Sequence, residues 1–202
     1  MNEQIARNKR RTFLMLFVFV GLITLTATAI VLLAVFVAVS YNRFVSQRNL
    51  VQESWRQIDV ELNRRHDLIP NLVETVKGYA AHERGTFEAV TQARANAINA
   101  QTPAEQAQAE NVLSGALKSL FAVAEAYPDL KANQNFLNLQ EELTSSEDRV
   151  AYARQYYNDS VLSYNTQIQK FPTVLLAGWF HFEKREFFDA APEDTETPQV
   201  QF

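Results

Sequence analysis

The chain has no cysteine, and only five of its 202 residues are glycine and six are proline. Without a thiol, it cannot form disulfide bonds, cysteine-ligated zinc sites or iron–sulfur clusters, and it cannot use thiolate catalysis. The scarcity of glycine and proline, together with an apolar fraction of 47%, excludes collagen-like and low-complexity chains. A chain of this length can bury a core without disulfide or metal support.

Charge is missing from the 27 residues between Phe13 and Val39, which are rich in Leu, Val, Ile, Phe and Ala. About 20 apolar residues in a helix cross a ~30 Å hydrocarbon core. The apolar part of a cleaved signal peptide is only about 7–15 residues long. The run therefore predicts a retained transmembrane helix over residues 13–39, with membrane lipid as its partner.

The charges are unevenly distributed on the two sides of this predicted span. Residues 1–12 form a basic N-terminus with four basic side chains and one acidic side chain, whereas the rest of the chain has 15 basic and 22 acidic residues out of totals of 19 and 23. The positive-inside rule predicts a single-pass protein with a cytoplasmic N-terminus and its C-terminal domain outside, although Arg43 and Arg48 weaken the contrast. A domain this acidic does not suit nucleic acid, and we expect no nucleic-acid partner.

Apolar residues recur at helical spacing through most of the remaining sequence. Val51, Trp55, Ile58 and Leu62 form one stripe, and Thr102 before Pro103 predicts the start of another helix. A seven-residue repeat predicts one long helix from near Asp129. Its members are Phe136, Leu143, Val150, Tyr157, Tyr164 and Phe171. The sequence therefore predicts an all-α fold in which the transmembrane helix continues into an antiparallel four-helix bundle, residues 41–188, with a long fourth helix.

The tetrapeptide Asp67-Leu68-Ile69-Pro70 leaves two architectures open. With Asp67 as an N-cap and Pro70 in a first turn, the chain reverses here and the fourth helix ends near the membrane. If Pro70 only kinks one long helix, the fourth helix points away from the membrane. We favour the reversal. The irregular aromatic segment then follows the fourth helix, and residues 189–202 are expected to form a mobile acidic tail.

Side chains able to do chemistry are few and scattered in the sequence. His66, His82 and His181 lack a second ligand three or four residues away, so we interpret them as ordinary, partly exposed histidines. The carboxylate clusters are typical of solvated helix faces. We expect no catalytic residues, no metal and no cofactor.

Two residue sets have both a structural and a functional interpretation. The first is polar and predicted to lie at helix junctions, where it caps helices or forms a docking surface. It consists of Arg64, Arg65, Asp67, Glu125, Asp129 and Lys131. The second is aromatic, Trp179, Phe180 and Phe182, and either caps the core or anchors the chain at the membrane interface.

Three long stretches resemble the LemA family of bacterial membrane proteins. They are RRHDLIPNLVETVKGYA (64–80), AVAEAYPDLKANQNFLNLQEEL (122–143) and EDRVAYARQYYNDSVLSYNTQIQKFP (147–172). The terminal Val200-Gln201-Phe202 fits the same pattern. The resemblance implies a four-helix bundle outside the bacterial cytoplasmic (inner) membrane, periplasmic or extracellular, behind one anchor. It implies no assigned activity, although some relatives are linked to membrane shaping and others occur beside membrane metalloproteases.

These observations predict a non-enzymatic, membrane-anchored helical scaffold. We expect a homo-oligomer, because Gly21, Ala27 and Ala34 allow close lateral packing of the span. The alternative is an adaptor or regulator of another envelope protein, such as a membrane metalloprotease. An envelope hydrolase is the weakest hypothesis, because it needs a concave site that the sequence does not indicate.

Overall fold

The computed structural model describes residues 2–188, with side-chain positions from Phe13 onward. The predicted tail, residues 189–202 with Val200, Gln201 and Phe202, lies outside the described residues, as do the side chains of the basic N-terminus. The described chain is all-helical, without strands. Its first helix, α1, runs from Asn2 to Lys77 without interruption.

Helix α1 has two parts that differ in what surrounds them. Residues 13–39 are almost entirely exposed, and this part of the helix is long and apolar enough to cross a membrane. Beyond Val39 one face becomes buried, with apolar residues recurring every three, four or seven positions. They are Phe44, Val51, Ile58, Leu62, Ile69, Leu72 and Val76. From Phe13 to Lys77 the helix is about 100 Å long at 1.5 Å per residue.

The predicted chain reversal at Asp67 to Pro70 is wrong. Pro70 lies inside α1, and the chain instead reverses at residues 78–83. Successive helices still alternate in direction, because the chain reverses after Lys77 instead of at Pro70. The end of the long helix therefore returns toward the span, although Pro70 is not at a turn.

The remaining helices are shorter and joined by tight connections. Helix α2 spans Arg84–Asn99 and α3 spans Pro103–Glu125. Thr102 caps α3 as predicted, since its hydroxyl accepts the Glu105 N–H and the Glu105 carboxylate accepts the Thr102 N–H. A single turn, α4 (Pro128–Lys131), precedes α5 (Gln134–Gln169), which Asn133 caps. The long helix thus begins five residues after Asp129, the predicted start.

Side-chain contacts establish how the helices run. Helix α5 is antiparallel to α1, because Arg149 bonds Glu61 while Ser163 accepts from Gln47 nearer the span. Helix α2 returns along α1, because Arg94 lies at the level of His66 and Gln101 at the level of Trp55. Helix α3 runs parallel to α1, because it starts at the level of Trp55 and then meets Arg65. The buried residues form two clusters. The distal core lies between α1, α2, α3, α4 and the start of α5, and the proximal core lies nearer the span between α1 and the rest of α5.

The proximal core is completed by the C-terminal segment. The α2–α3 connection reaches only the level of Trp55, where Gln101 and Pro103 line a cavity with it. Nearer the span, α1 and α5 are covered instead by a short helix, α6 (Thr173–Trp179), and by residues 182–188. These contribute Leu176, Ala177 and Phe188 to the proximal core.

The seven-residue repeat marks the buried side of α5, with one exception. Phe136, Leu143, Val150, Tyr157 and Tyr164 are buried, but Phe171 is 83% exposed. Helix α5 ends at Gln169, so Phe171 belongs to the turn before α6 and no longer follows the helical repeat.

Candidate functional site

A cluster of charged and polar side chains is buried between α1 and α3, about one turn before Pro70. We call Arg65, His66, Gln106 and Glu110 the ionic cluster; all four are more than nine-tenths buried. Burying a charge is costly unless it is paired and hydrogen-bonded. The geometry of Glu110 shows how this cost is met.

Both carboxylate oxygens of Glu110 accept hydrogen bonds from other members of the cluster. Arg65 Nη1 donates to Oε2 at 3.0 Å, while His66 Nε2 at 2.6 Å and Gln106 Nε2 at 3.2 Å donate to Oε1. Arg65 Nη2 also donates to the Ser114 hydroxyl at 2.8 Å. The carboxylate is therefore hydrogen-bonded through both oxygens to side chains of α1 and α3.

The backbone next to the ionic cluster carries a second long-range contact. Proline has no N–H, so Pro70 leaves the carbonyl of residue 66, four positions earlier, without its helical donor. Arg94 of α2 fills this vacancy, because its Nε donates to the His66 carbonyl at 2.7 Å. The helix thus continues through proline with its freed acceptor satisfied by a neighbouring helix.

Two buried nitrogens of the ionic cluster, Arg65 Nε and His66 Nδ1, have no protein partner. Their isolation does not make a metal site, since no three His, Asp or Glu side chains among residues 13–188 converge closely enough to hold an ion. The arrangement serves to join α1, α2 and α3 at one level.

The predicted polar set does not form one surface. Arg64 and Asp67 are exposed on α1, whereas Arg65 is buried, so Arg65 cannot belong to an exposed docking surface. These three residues also lie within α1 and not at a helix junction, which corrects the prediction. Asp129 is exposed, and Glu125 forms an exposed ion pair with Lys131. Glu125 lies 15 residues beyond Glu110 along α3, or roughly 22 Å.

The interpretation of the histidines was wrong at one of three positions. His66 is 3% exposed and bonded to Glu110, while His82 and His181 are exposed. Arg94, Gln106, Glu110 and Ser114 were all missed from the sequence. A signal for Glu110 exists, because it stands at helical spacing between Ala107 and Leu113 on the otherwise mostly apolar buried stripe of α3.

The second notable site holds residues 182–188 against α5, and we call it the C-terminal clamp. Asn165 accepts the Arg185 N–H at 2.9 Å and donates to the Arg185 carbonyl at 2.8 Å. Asn158, seven residues earlier, does the same for Phe188 at 2.8 and 3.1 Å. Each asparagine thus binds the backbone N–H and C=O of one residue, and these bonds do not depend on which side chain that residue has.

Tyrosines preceding the two asparagines add a second row of bonds to the clamp. Tyr157 donates to the Glu186 carbonyl and Tyr164 to the Glu183 carbonyl, both at 2.9 Å. Burial raises the pKa of both hydroxyls above the ordinary value of 10.0. Because the protonated form is favoured in the folded state, this contribution to stability is complete below pH 10 and is lost as the pH rises through the raised pKa.

The aromatic residues of the C-terminal segment divide between core and surface. Phe182 packs on Tyr41 and Phe44, with ring centroids 5.8 and 5.0 Å away, so this residue caps the core. Trp179, in contrast, is 76% exposed, and Phe180 is partly exposed against Tyr41. The predicted aromatic set therefore does not act as one unit.

The part of the chain that matches a known protein family includes both the ionic cluster and the C-terminal clamp. The model of the LemA family matches residues 54–202. The chain belongs to the LemA family. It is 26% identical to magnetosome protein MamQ 2 of Paramagnetospirillum magneticum over 89% of this chain and 77% of that protein. It is 28% identical to MamQ of Magnetospirillum gryphiswaldense, covering 79% and 70%, and 28% identical to protein LemA of Metamycoplasma hominis, covering 67% and 63%.

Replacing Glu110 with alanine should strongly destabilise this LemA-family fold. The change leaves Arg65 buried without its counter-charge, and breaking a buried pair in this way costs about 3–5 kcal/mol. The control is Glu125→Ala on the same helix, which removes the exposed pair with Lys131 and costs about 1 kcal/mol or less. Denaturant unfolding followed by circular dichroism measures both, and equal losses would contradict a structural role for the ionic cluster.

Replacing Asn158 or Asn165 with alanine should release the C-terminal clamp without unfolding the helices. Each variant loses two hydrogen bonds, worth about 1 kcal/mol apiece, so trypsin should cut after Lys184 and Arg185 roughly tenfold faster or more. Asn138→Ala is the control, because Asn138 is exposed and accepts only from Gln134. Mass spectrometry of the fragments gives the rates. Unchanged cutting would show that the clamp does not hold the segment.

Proposed function

We propose that this LemA-family chain is a non-enzymatic, single-pass membrane scaffold that self-assembles at the cell envelope. The observation that carries the proposal is the continuity of α1. One unbroken helix contains both the exposed apolar run, residues 13–39, and the buried stripe of the folded domain. A membrane that holds the first part fixes the direction of the second, so neighbouring copies present their domains side by side.

The finer architecture and location belong to the same proposal. Helices α1, α2, α3 and α5 would form the antiparallel four-helix bundle, since they alternate in direction along the axis of α1. The span would sit in the bacterial cytoplasmic (inner) membrane. The basic N-terminus would be cytoplasmic and the acidic domain would lie on the opposite side.

The polar interior supports packing in preference to catalysis. Glu110 and Arg65, the buried charged residues of the ionic cluster, are bonded across helices, and Arg94 is committed to a backbone carbonyl. Catalytic acids and bases need an accessible cleft and a group left free to exchange a proton. The names of the relatives refer to a magnetosome or to the family, and not to a reaction.

A groove between α1 and α5 offers a surface for self-association. It encloses about 560 Å³ and lies away from the buried stripe of α1. Val60, Tyr152 and Tyr156 expose 63%, 75% and 45% of their surface there. An ion pair between Glu61 and Arg149 crosses its floor. Tyrosine and arginine side chains are enriched in the centres of protein–protein interfaces.

The span offers a second surface that points laterally in the membrane. Gly21 has open space where a side chain would be, so another helix can approach its backbone closely. Ala27 and Ala34 are also small. Since α1 is continuous, contacts in the span and in the groove would be made by one rigid element and would support each other.

Cross-linking of the full chain in native membranes tests self-assembly. We expect a ladder of homomers whose yield falls severalfold in Tyr152→Arg, because that change places a charge in the groove. Ile98→Arg is the control, at an exposed position on α2. Monomers alone at every expression level would contradict the proposal. A stoichiometric foreign envelope protein in place of homomers would instead support the adaptor.

A further inference from the structure

Helix α6 lies beside the point where α1 leaves the predicted span. Val37, within the uncharged run, packs against the proximal core, and Ser40 is buried. The rings of Tyr41 and Phe180, which follows α6 directly, are 5.0 Å apart. Because the apolar run ends at Val39, these contacts place α6 at the level where the hydrocarbon of a bilayer gives way to its headgroups.

The outer face of this region is a ridge of apolar side chains that the fold leaves uncovered. Phe171, Leu175 and Trp179 recur every four residues and expose 83%, 68% and 76% of their surface. The opposite face of α6 buries Leu176 and Ala177 in the proximal core. Helix α6 therefore has two apolar faces. One packs against the proximal core, and the other is exposed.

The charge around the ridge is opposite to that of the domain. Residues 41–48 and 165–184 carry four basic side chains against one acidic, Glu183, although the chain as a whole has a net charge of −4. We call these four the basic ring: Arg43, Arg48, Lys170 and Lys184. Basic residues beside aromatic and aliphatic ones are typical of surfaces that lie in a lipid interface.

We propose that α6 is a second membrane contact. Phe171, Leu175 and Trp179 insert into the interfacial layer of the bilayer that holds the span, while the basic ring faces lipid phosphates. The ridge lies next to the span, and a bilayer around the span would therefore reach the ridge. For this reason we assign the ridge to lipid and not to a protein partner. This inference rests on the anchoring of α1 but not on self-assembly. The span sets the direction of α1, and α6 as a second contact fixes the rotation of the domain about the axis of α1, which the span alone leaves free.

The chain has two tryptophans, Trp55 and Trp179, whose fluorescence can report how close each lies to the lipid. Trp55 lies 16 residues beyond Val39 along α1, roughly 24 Å above the end of the apolar run. The variants Trp55→Phe and Trp179→Phe, each made in the full chain, leave one tryptophan apiece. Both are reconstituted into vesicles containing lipids brominated near the top of the acyl chains.

We expect brominated lipid to quench Trp179 fluorescence by at least half and to leave Trp55 almost unchanged. In the presence of anionic lipid, the quenching of Trp179 should also weaken when Lys170 and Lys184 are changed to glutamine. Equal and weak quenching of both tryptophans in vesicle-bound protein would overturn the inference while leaving the anchor intact. So would a blue-shifted Trp179 emission that depends on protein density, because a second copy would then cover the ridge. Failure of the protein to float with vesicles would overturn both the anchor and this inference.

Discussion

The carbonyl of residue 66 is the acceptor on which the organisation of the chain depends. Pro70 deprives it of its helical donor, and an unsatisfied buried carbonyl or a broken helix would normally follow. Arg94 supplies the missing donor from α2 at 2.7 Å. The proline therefore does not end α1. It creates an attachment point for another helix, and the chain reverses eight residues later, after Gly78 has begun the connection.

The ionic cluster sits beside this attachment point and extends it to α3. Residues 65 and 66 lie next to each other on α1, yet one reaches Glu110 through its guanidinium and the other through its ring. The α1 backbone, α2 and α3 are thus joined at one level by directional bonds to charged groups, which tolerate little change in register. A shift of α3 along α1 would separate Arg65 from Glu110 and leave both charges buried and unpaired, which is strongly destabilising.

Between the ionic cluster and the exposed apolar part of α1, the C-terminal segment covers the proximal core. Helices α2 and α3 do not extend to the exposed apolar part of α1, so α1 and α5 would leave apolar faces uncovered next to it. Residues 182–188 cover them, held through their backbone by Asn158 and Asn165 and through apolar contacts such as Phe188 on Trp55. The heptad spacing of the two asparagines matches a segment that runs alongside the helix.

Features governed by neighbouring residues were predictable from the sequence. Thr102, Pro103 and Glu105 specify a capping box within four residues, and the repeat from Phe136 to Tyr164 specifies the buried side of α5. Proline at position 70 has the same local signature in a first turn and inside a helix. The difference lies in Arg94, which is 24 positions away and reaches the carbonyl only after folding.

The candidate site was less predictable than the fold for the same reason. Arg65 was singled out as a capping or docking residue at a helix junction, whereas the structure buries it and pairs it with Glu110. Only the interruption of an apolar stripe on each helix by a charge, Arg65 on α1 and Glu110 on α3, indicates such a pair. The clamp carries no comparable signal, because asparagines that bind backbone groups have no complementary pattern in the segment they hold.

A double-mutant cycle between Pro70→Ala and Arg94→Met tests most directly whether Arg94 carries α1 through the proline. With Pro70 present, Arg94→Met should cost about 1.5–3 kcal/mol, as expected for a hydrogen bond to a charged group. With alanine at position 70, the new N–H satisfies the carbonyl and the same change should cost at least 1 kcal/mol less. Equal costs of Arg94→Met in the two backgrounds, measured by denaturant unfolding of the full chain in mild detergent, would contradict the account.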